Sequence, residues 1–338
     1  MSLARPNRAR AVEQGLAFLA ASQLPSGAFN VFASPDPELA GGCVADPSVF
    51  PTALIAHSLA FCRAADAVRE RACAFLLGEA DRHGLWRHWT RSHPHAARLP
   101  PDLDDTSCAA AVLAQAGKCF PANRHLLLAN RDAAGLFMTW IVPRLRWTTR
   151  AHMAVTLPQL RHAPTLASFF QQTSAAPGDV DAVVNANALH YLGREAGTAV
   201  AARHLLAVLR ERREGQCDKW YDNPFAIWYF FSRALAPGES EAGALIADRI
   251  AATPARSALD AALAACSLRY WRRPVPPLLL DRLIETQLAC GAWPRAPLYH
   301  GGRKRRRDGA FEPPHPDTPR WGSEELTTGF CIEALLDR

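Results

Sequence analysis

Lysine is nearly missing from this chain. Its 338 residues hold three, Lys118, Lys219 and Lys304, so the net charge of +6 is carried by arginine. The one dense basic block is Arg303-Lys304-Arg305-Arg306-Arg307, and elsewhere acids and bases are interspersed. A nucleic-acid binder would carry a basic face interleaved with aromatics, so nucleic acid is set aside as a partner. No apolar run reaches the roughly 20 uncharged residues that cross a bilayer, which predicts no transmembrane segment. The basic start runs directly into an amphipathic helix over 11–22, without the apolar core and cleavage site of a signal peptide. The nine cysteines include no Cys-x-x-Cys pair. Cys62, Cys73, Cys108, Cys266 and Cys331 sit in apolar helical patterns, where a thiol packs as a small hydrophobe. This argues against a disulfide framework or a cysteine zinc site and for a reduced, cytoplasmic setting.

Strands are missing too, since no stretch alternates with period two. What is present is helix after helix, of two kinds. Spans 8–22, 65–80, 123–140, 195–212, 239–252 and 277–288 are amphipathic with a charged face. Spans 47–62, 104–116, 181–192, 224–235, 257–271 and 324–336 are apolar nearly all round. A helix apolar on every side must be buried on every side. Strict alternation of the two kinds predicts an all-α (α/α)6 barrel, six outer helices enclosing six inner ones, in a single domain over 1–338. Extra length falls in loops, among them a basic, proline-rich one over 301–320.

The junctions repeat a motif. Gln23-Leu-Pro-Ser-Gly27-Ala-Phe29 and Gln287-Leu-Ala-Cys-Gly291-Ala-Trp293 share the form Gln-x3-Gly-x-aromatic, and Gly84-Leu-Trp86 keeps its second half. Glycine suits the left-handed residue that ends a helix, and the aromatic then packs back on the apolar stripe. These are structural clamps. Each inner helix opens on polar or acidic residues, most of them ordinary caps. With parallel inner helices they form a polar rim around one mouth of the barrel.

One start is over-supplied. Leu99-Pro100-Pro101-Asp102-Leu103-Asp104-Asp105-Thr106 delivers three carboxylates in four positions, where capping and the helix dipole need one or two. Like charges crowded in a partly dry site cannot all ionise, so one keeps a proton at neutral pH and becomes a candidate general acid.

Asp102-Leu103-Asp104-Asp105-Thr106 matches the Asp-x-Asp-Asp-Thr motif of class II terpene cyclases, and the clamps are similar to the QW repeats of that superfamily. The chain thus resembles a single-barrel member of the squalene–hopene-cyclase-like α/α-toroid group. The resemblance implies a protonation-initiated cyclase of a linear isoprenoid, with a prenyl diphosphate as its substrate. Asp104, the middle residue, would be the proton donor, and Asp102 and Asp105 would tune it. A cation-shielding cavity would draw its aromatic faces from Trp220, Tyr221, Phe225, Trp228, Tyr229 and Trp321, with Asp181 at the rim. Asn185 and Asn187, polar residues inside an apolar helix, would orient Asp104 or hold a water. Arg303 and Arg305 of the basic loop would clamp the diphosphate. No motif implies a protein-bound metal or cofactor, and Mg²⁺ would arrive with a diphosphate. The isoprenoid would be met in the cytoplasm or at a membrane surface.

The family usually carries two or more helical domains, so a single barrel needs a self-contained cavity or a second copy or subunit over its mouth. No Asp-Asp-x-x-Asp with a metal triad is present, which argues against ionisation-initiated chemistry, and Cys217-Asp218 has the wrong order for a prenyltransferase zinc set. Two other readings stay open. One is a non-catalytic scaffold on the same barrel. The other is an (α/α)6 carbohydrate enzyme, which needs a second carboxylate roughly 5 to 9 Å from the first, Asp181 or Glu325 being the candidates.

Overall fold

A computed structural model describes residues 4–144, 149–236 and 238–336. Its helices, in chain order, are α1 (Ala4–Ser22), α2 (Val49–Leu59), α3 (Asp66–Glu79), α4 (Leu103–Gln115), α5 (Arg124–Ala129), α6 (Arg150–Thr156), α7 (Ala163–Gln172), α8 (Ala182–Leu192), α9 (Ala199–Arg210), α10 (Pro224–Leu235), α11 (Ser240–Ala252), α12 (Ala258–Tyr270), α13 (Pro277–Glu285) and α14 (Glu324–Leu335). Helices α2, α4, α8, α10, α12 and α14 form the inner ring. Each packs on the next, and α14 returns to α2, closing the circle. Every residue of α2 is buried, as is each from Phe225 to Leu235 and from Ala258 to Leu268. The all-round apolar pattern therefore does mark enclosed helices. Helices α1, α3, α5, α9, α11 and α13 make the outer ring.

The third outer helix is much shorter than its predicted span, 123–140. Helix α5 ends at Ala129, and the Asn130 side chain donates to the carbonyls of Met138 (2.7 Å) and Trp140 (3.3 Å). These bonds fold the rest of the span into a turn and an extended clamp. The stretch after it holds an insertion, α6 and α7, absent from a simple twelve-helix count. Leu145 to Thr148 lie outside the described residues.

The expectation of no strands is also corrected. Strands β1 (Phe32–Ser34), β2 (Val44–Ala45), β3 (Tyr299–His300) and β4 (Arg320–Gly322) form an antiparallel sheet in the order β2-β1-β4-β3. Two or three residues are too few to show an alternating pattern. The sheet ties the loop between α1 and α2 to the loop between α13 and α14.

The clamps bind wall to wall. Gln23 Nε2 donates to Gly27 O (2.8 Å) and to Val68 O of α3 (3.0 Å). Gln287 Nε2 donates to Gly291 O and to Ala11 O of α1, both at 2.8 Å. Where Gly84 lacks a glutamine, Asn123 Nδ2 donates to its carbonyl instead (2.6 Å). The clamp aromatic then hands its backbone N–H to a polar side chain of the next inner helix: Phe29 to Thr52, Trp86 to Thr106 and Trp293 to Thr328, at 3.0 to 3.1 Å. Gly291 has φ +89°, and a Cβ there would run into the Gln14 carbonyl. Gly291→Ala should therefore lower stability by about 1–3 kcal/mol in chemical unfolding. Gly178→Ala, in open space, should not lower it.

Candidate active site

A cavity of about 820 Å³ opens at the amino-terminal end of the inner helices. Phe50 of α2, Asp104 of α4 and Val184 of α8 reach it from the ring. Trp89, Trp140, Trp220, Tyr221, Tyr299 and Trp321 supply aromatic faces from the segments that lead into those helices. Tyr299 and Trp321 are cross-strand partners and stack at 5.4 Å with planes 9° apart. Phe169 of the inserted α7 and the loop over 301–319 border the opening, so the chain's own loops frame the mouth.

The three aspartates divide the work by position. Asp102 is the cap of α4, its Oδ1 accepting the Asp105 N–H at 2.8 Å. Its Oδ2 and Asp105 Oδ1 are buried without a hydrogen-bond partner among the described residues. Asp102 and Asp105 are 3% and 4% exposed, while Asp104 keeps some accessible surface. Asp104 Oδ1 accepts from Asn187 Nδ2 (2.5 Å) and Oδ2 from the Tyr221 hydroxyl (2.8 Å). Burial pushes all three carboxyls above their ordinary values, Asp102 strongly and Asp105 to about 8. For Asp104, the bonds from Asn187 and Tyr221 and the charge of Arg233 work against that rise. His88 Nδ1 stands 3.6 Å from Asp105 Oδ2, and burial lowers its pKa, which favours the neutral ring.

Several expected site residues lie elsewhere. Two residues on a helix are about 200° apart, and the asparagine pair divides accordingly. Asn187 faces the barrel axis and Asp104. Asn185 faces the wall, accepting from the Phe137 N–H and donating to Phe137 O and Asp181 O, each at 2.9 Å; it is the polar partner of a fourth clamp. Asp181 does not bind at the rim, because both its oxygens are taken. Oδ2 accepts from Thr139 (2.6 Å) and the Trp220 indole (3.0 Å), and Oδ1 from the Lys219 N–H (3.1 Å). It positions cavity aromatics without touching the cavity. Of the aromatic run, Trp220 and Tyr221 line the cavity and Phe225, Trp228 and Tyr229 do not. Once α10 begins, its turn carries Trp228 to Glu214 (3.3 Å) and Tyr229 to Glu333 (3.1 Å), deep in the core. Trp321 lines the cavity.

Arg303 and Arg305 are also displaced from their predicted role. Arg303 is buried under the loop, donating to Gly215 O (3.0 Å) and Asp218 O, and both arginines lie over the Phe311 ring at 4.8 and 4.2 Å. Among the described residues Lys304 is the only Lys or Arg of the lining, in company with Glu312 and Asp317. Glu325 is buried and outside the lining, so no second carboxylate from the carbohydrate reading faces the Asp104 site. The described residues group no three His, Cys, Asp or Glu able to hold a metal, and no described helix is long and apolar enough to cross a membrane.

Trp89 and Trp140 were missed, yet a signal for both was present. Gly27-Ala-Phe-Asn-Val-Phe32, Gly84-Leu-Trp-Arg-His-Trp89 and Gly135-Leu-Phe-Met-Thr-Trp140 share Gly-x-aromatic-x-x-aromatic. The first aromatic is the clamp, and in the last two segments the second lines the cavity.

No protein-family model matches the sequence, and no curated protein does. Among solved structures, a protein from Actinoplanes superposes with a TM-score of 0.64 at 17% identity, covering 97% of this chain and 98% of its own. The type II terpene cyclase MstE from Scytonema superposes with a TM-score of 0.65 at 16% identity, over 98% of both chains. A single-residue variant of MstE in complex with its substrate, geranylgeranyl dihydroxybenzoate, gives 0.65 at 16%, over 99% of this chain and 98% of its own. The fold of this chain is thus an α/α toroid like that of these structures.

Asp105 offers a direct test of the site's electrostatics. Its folded value, about 8, exceeds the ordinary 3.8, so between those pH values the native state holds a proton that the unfolded chain has released. Through that window the group withdraws stability as pH rises, by up to ~1.4 kcal/mol per unit. Chemical unfolding of Asp105→Asn should show a flatter pH dependence than wild type, the variant gaining on wild type from acid toward pH 8.

Proposed function

We propose that this chain is a class II terpene cyclase in which Asp104 protonates a linear isoprenoid. The observation that carries the reading is one carboxyl, held above its ordinary pKa by burial, facing an aromatic cavity between Asn187 and Tyr221. An isolated alkene is a poor base, so its protonation needs a carboxylic acid that carries its proton and is shielded from water. In the proposed step the Asp104 O–H bond breaks and a C–H bond forms at the alkene. The cation that results is transferred along the chain as rings close, until a C–H proton is lost. Indole and phenol faces stabilise the cation without attacking it.

The cavity mouth favours a head group other than a diphosphate. Gln171, Gln172, Thr173 and Ser174 offer neutral hydrogen bonds, while Glu312 and Asp317 would repel a multiply charged anion, against which the described lining sets a single Lys or Arg, Lys304. A polyprenyl chain on a weakly acidic or neutral aromatic head fits this lining, and the MstE substrate, geranylgeranyl dihydroxybenzoate, is of that class. The Mg²⁺ expected with a diphosphate drops out with it. The protein should convert geranylgeranyl dihydroxybenzoate to cyclic product faster than geranylgeranyl diphosphate, as read by mass spectrometry and NMR of products. Asp104→Asn should lose about a hundredfold or more in turnover with its thermal unfolding unchanged. Retained turnover would refute the role of Asp104. No product from any isoprenoid would favour a scaffold.

A further inference from the structure

Arg233 places a positive charge inside the barrel. It sits in the last turn of α10, 3% exposed, and among the described residues its guanidinium makes no ion pair. Nη2 donates to Asn187 Oδ1 at 2.5 Å and to Cys108 Sγ at 3.5 Å, and the guanidinium lies over the rings of Tyr229 and Phe230 at 5.6 and 5.1 Å. A cation buried without a contacting anion is strongly unfavourable. Glu333, at the far end of Tyr229, is already held by the hydroxyls of Ser58 (2.7 Å), Tyr229 (3.1 Å) and Tyr270 (3.3 Å). The other carboxyl is Asp104, one amide away.

That amide can stand only one way round. Guanidinium has donors and no acceptor, so Asn187 must turn its oxygen to Arg233 and its NH₂ to Asp104. Without the arginine the amide is free to flip and present an oxygen to the acid. We propose that Arg233 is a positioning residue for Asp104: it locks the Asn187 amide with its N–H toward the carboxyl and sets a fixed positive charge behind the carboxylate that forms as the proton leaves. The inference rests on the reading of Asp104 as the acid.

The device answers a conflict in that reading. Burial keeps the proton on Asp104, but burial alone makes a weak acid. A preorganised donor and cation aimed at the developing negative charge strengthen it at the moment of transfer. Other ionisable groups face the pair. Asp102, Asp105, Tyr221, Cys108 and Asp181 surround Asp104. Cys108, His190, Tyr229, Tyr270 and Glu333 surround Arg233. Burial raises the Cys108 thiol to about 12 and pushes His190 far below its ordinary value, which leaves Arg233 the fixed cation next to this acid.

The test is an infrared titration of the unliganded protein from about pH 4 to about pH 10, following the protonated-carboxyl band that disappears in Asp104→Asn. Arg233→Met should move the midpoint of that band up by about one pH unit, equivalent to a roughly tenfold weaker acid. Arg233→Lys, which keeps the charge and loses the fork, should fall between Met and wild type. Turnover should follow: the acid form is the active one, so the alkaline limb moves to higher pH while the plateau rate falls. A purely structural role would lower the melting temperature and leave the midpoint in place. Should the Met variant not fold, Arg233→Gln replaces it, with the same shift expected. A midpoint unchanged in a folded Met or Gln variant, or no band titrating with Asp104, overturns the proposal. The band is read without substrate. Failure of the cyclase reading, seen as full turnover in Asp104→Asn, is therefore distinguishable from failure of this one.

Discussion

Three carboxyl groups on one helical turn are pushed above their ordinary pKa values because water is kept from them. The rest of this structure serves that exclusion. The closed ring of inner helices supplies a floor whose backbone is paired within each helix beyond its terminal turns. The clamps hold outer helices against inner ones by the backbone rather than by side-chain packing alone. The rim is filled by aromatic side chains whose bulk displaces water, and the Trp220 indole and Tyr221 hydroxyl find buried partners on Asp181 and Asp104.

Charge in the barrel is arranged in the same spirit. Asp181 and Asp218, both within the polar rim, spend their oxygens on the segment that carries Trp220 and Tyr221: Asp218 accepts from the N–H groups of Val183, Trp220 and Tyr221 at 2.8 to 3.2 Å. These carboxyls are scaffolding for aromatic faces. Asp104, by contrast, is held by two side chains and open to the cavity. The oxygens of all three are hydrogen-bonded; what separates Asp104 from Asp181 and Asp218 is its accessible surface in the cavity.

Much of the fold was legible because burial writes itself into composition. The six all-apolar helices could be recognised individually, since a helix enclosed on every side has no polar face to disguise it. The acid cluster was legible for the opposite reason, as three charges where one suffices. The third outer helix misled because Leu126 and Leu127 continue into Leu136 and Phe137 at helical spacing, while the turn at Asn130 depends on carbonyls eight and ten residues away. Phe225, Trp228 and Tyr229 misled because aromatics crowd core and cavity alike, and only the start of α10 at Pro224 separates them. The arginines of the 301–320 loop misled because their charge suggested an anion, whereas Phe311 and two carbonyls already occupied them.

The sheet that joins the first loop to the last has a consequence for how the protein comes into being. Strand β1 waits for β4, and α2 waits for α14. As the chain emerges from a ribosome, Asp104 is present long before the segment holding Tyr299, Trp321 and the closing helix. Until those last residues arrive, the three aspartates stand in water as ordinary anions. The raised pKa of these carboxyls is thus a property of the finished ring, because burial is its cause.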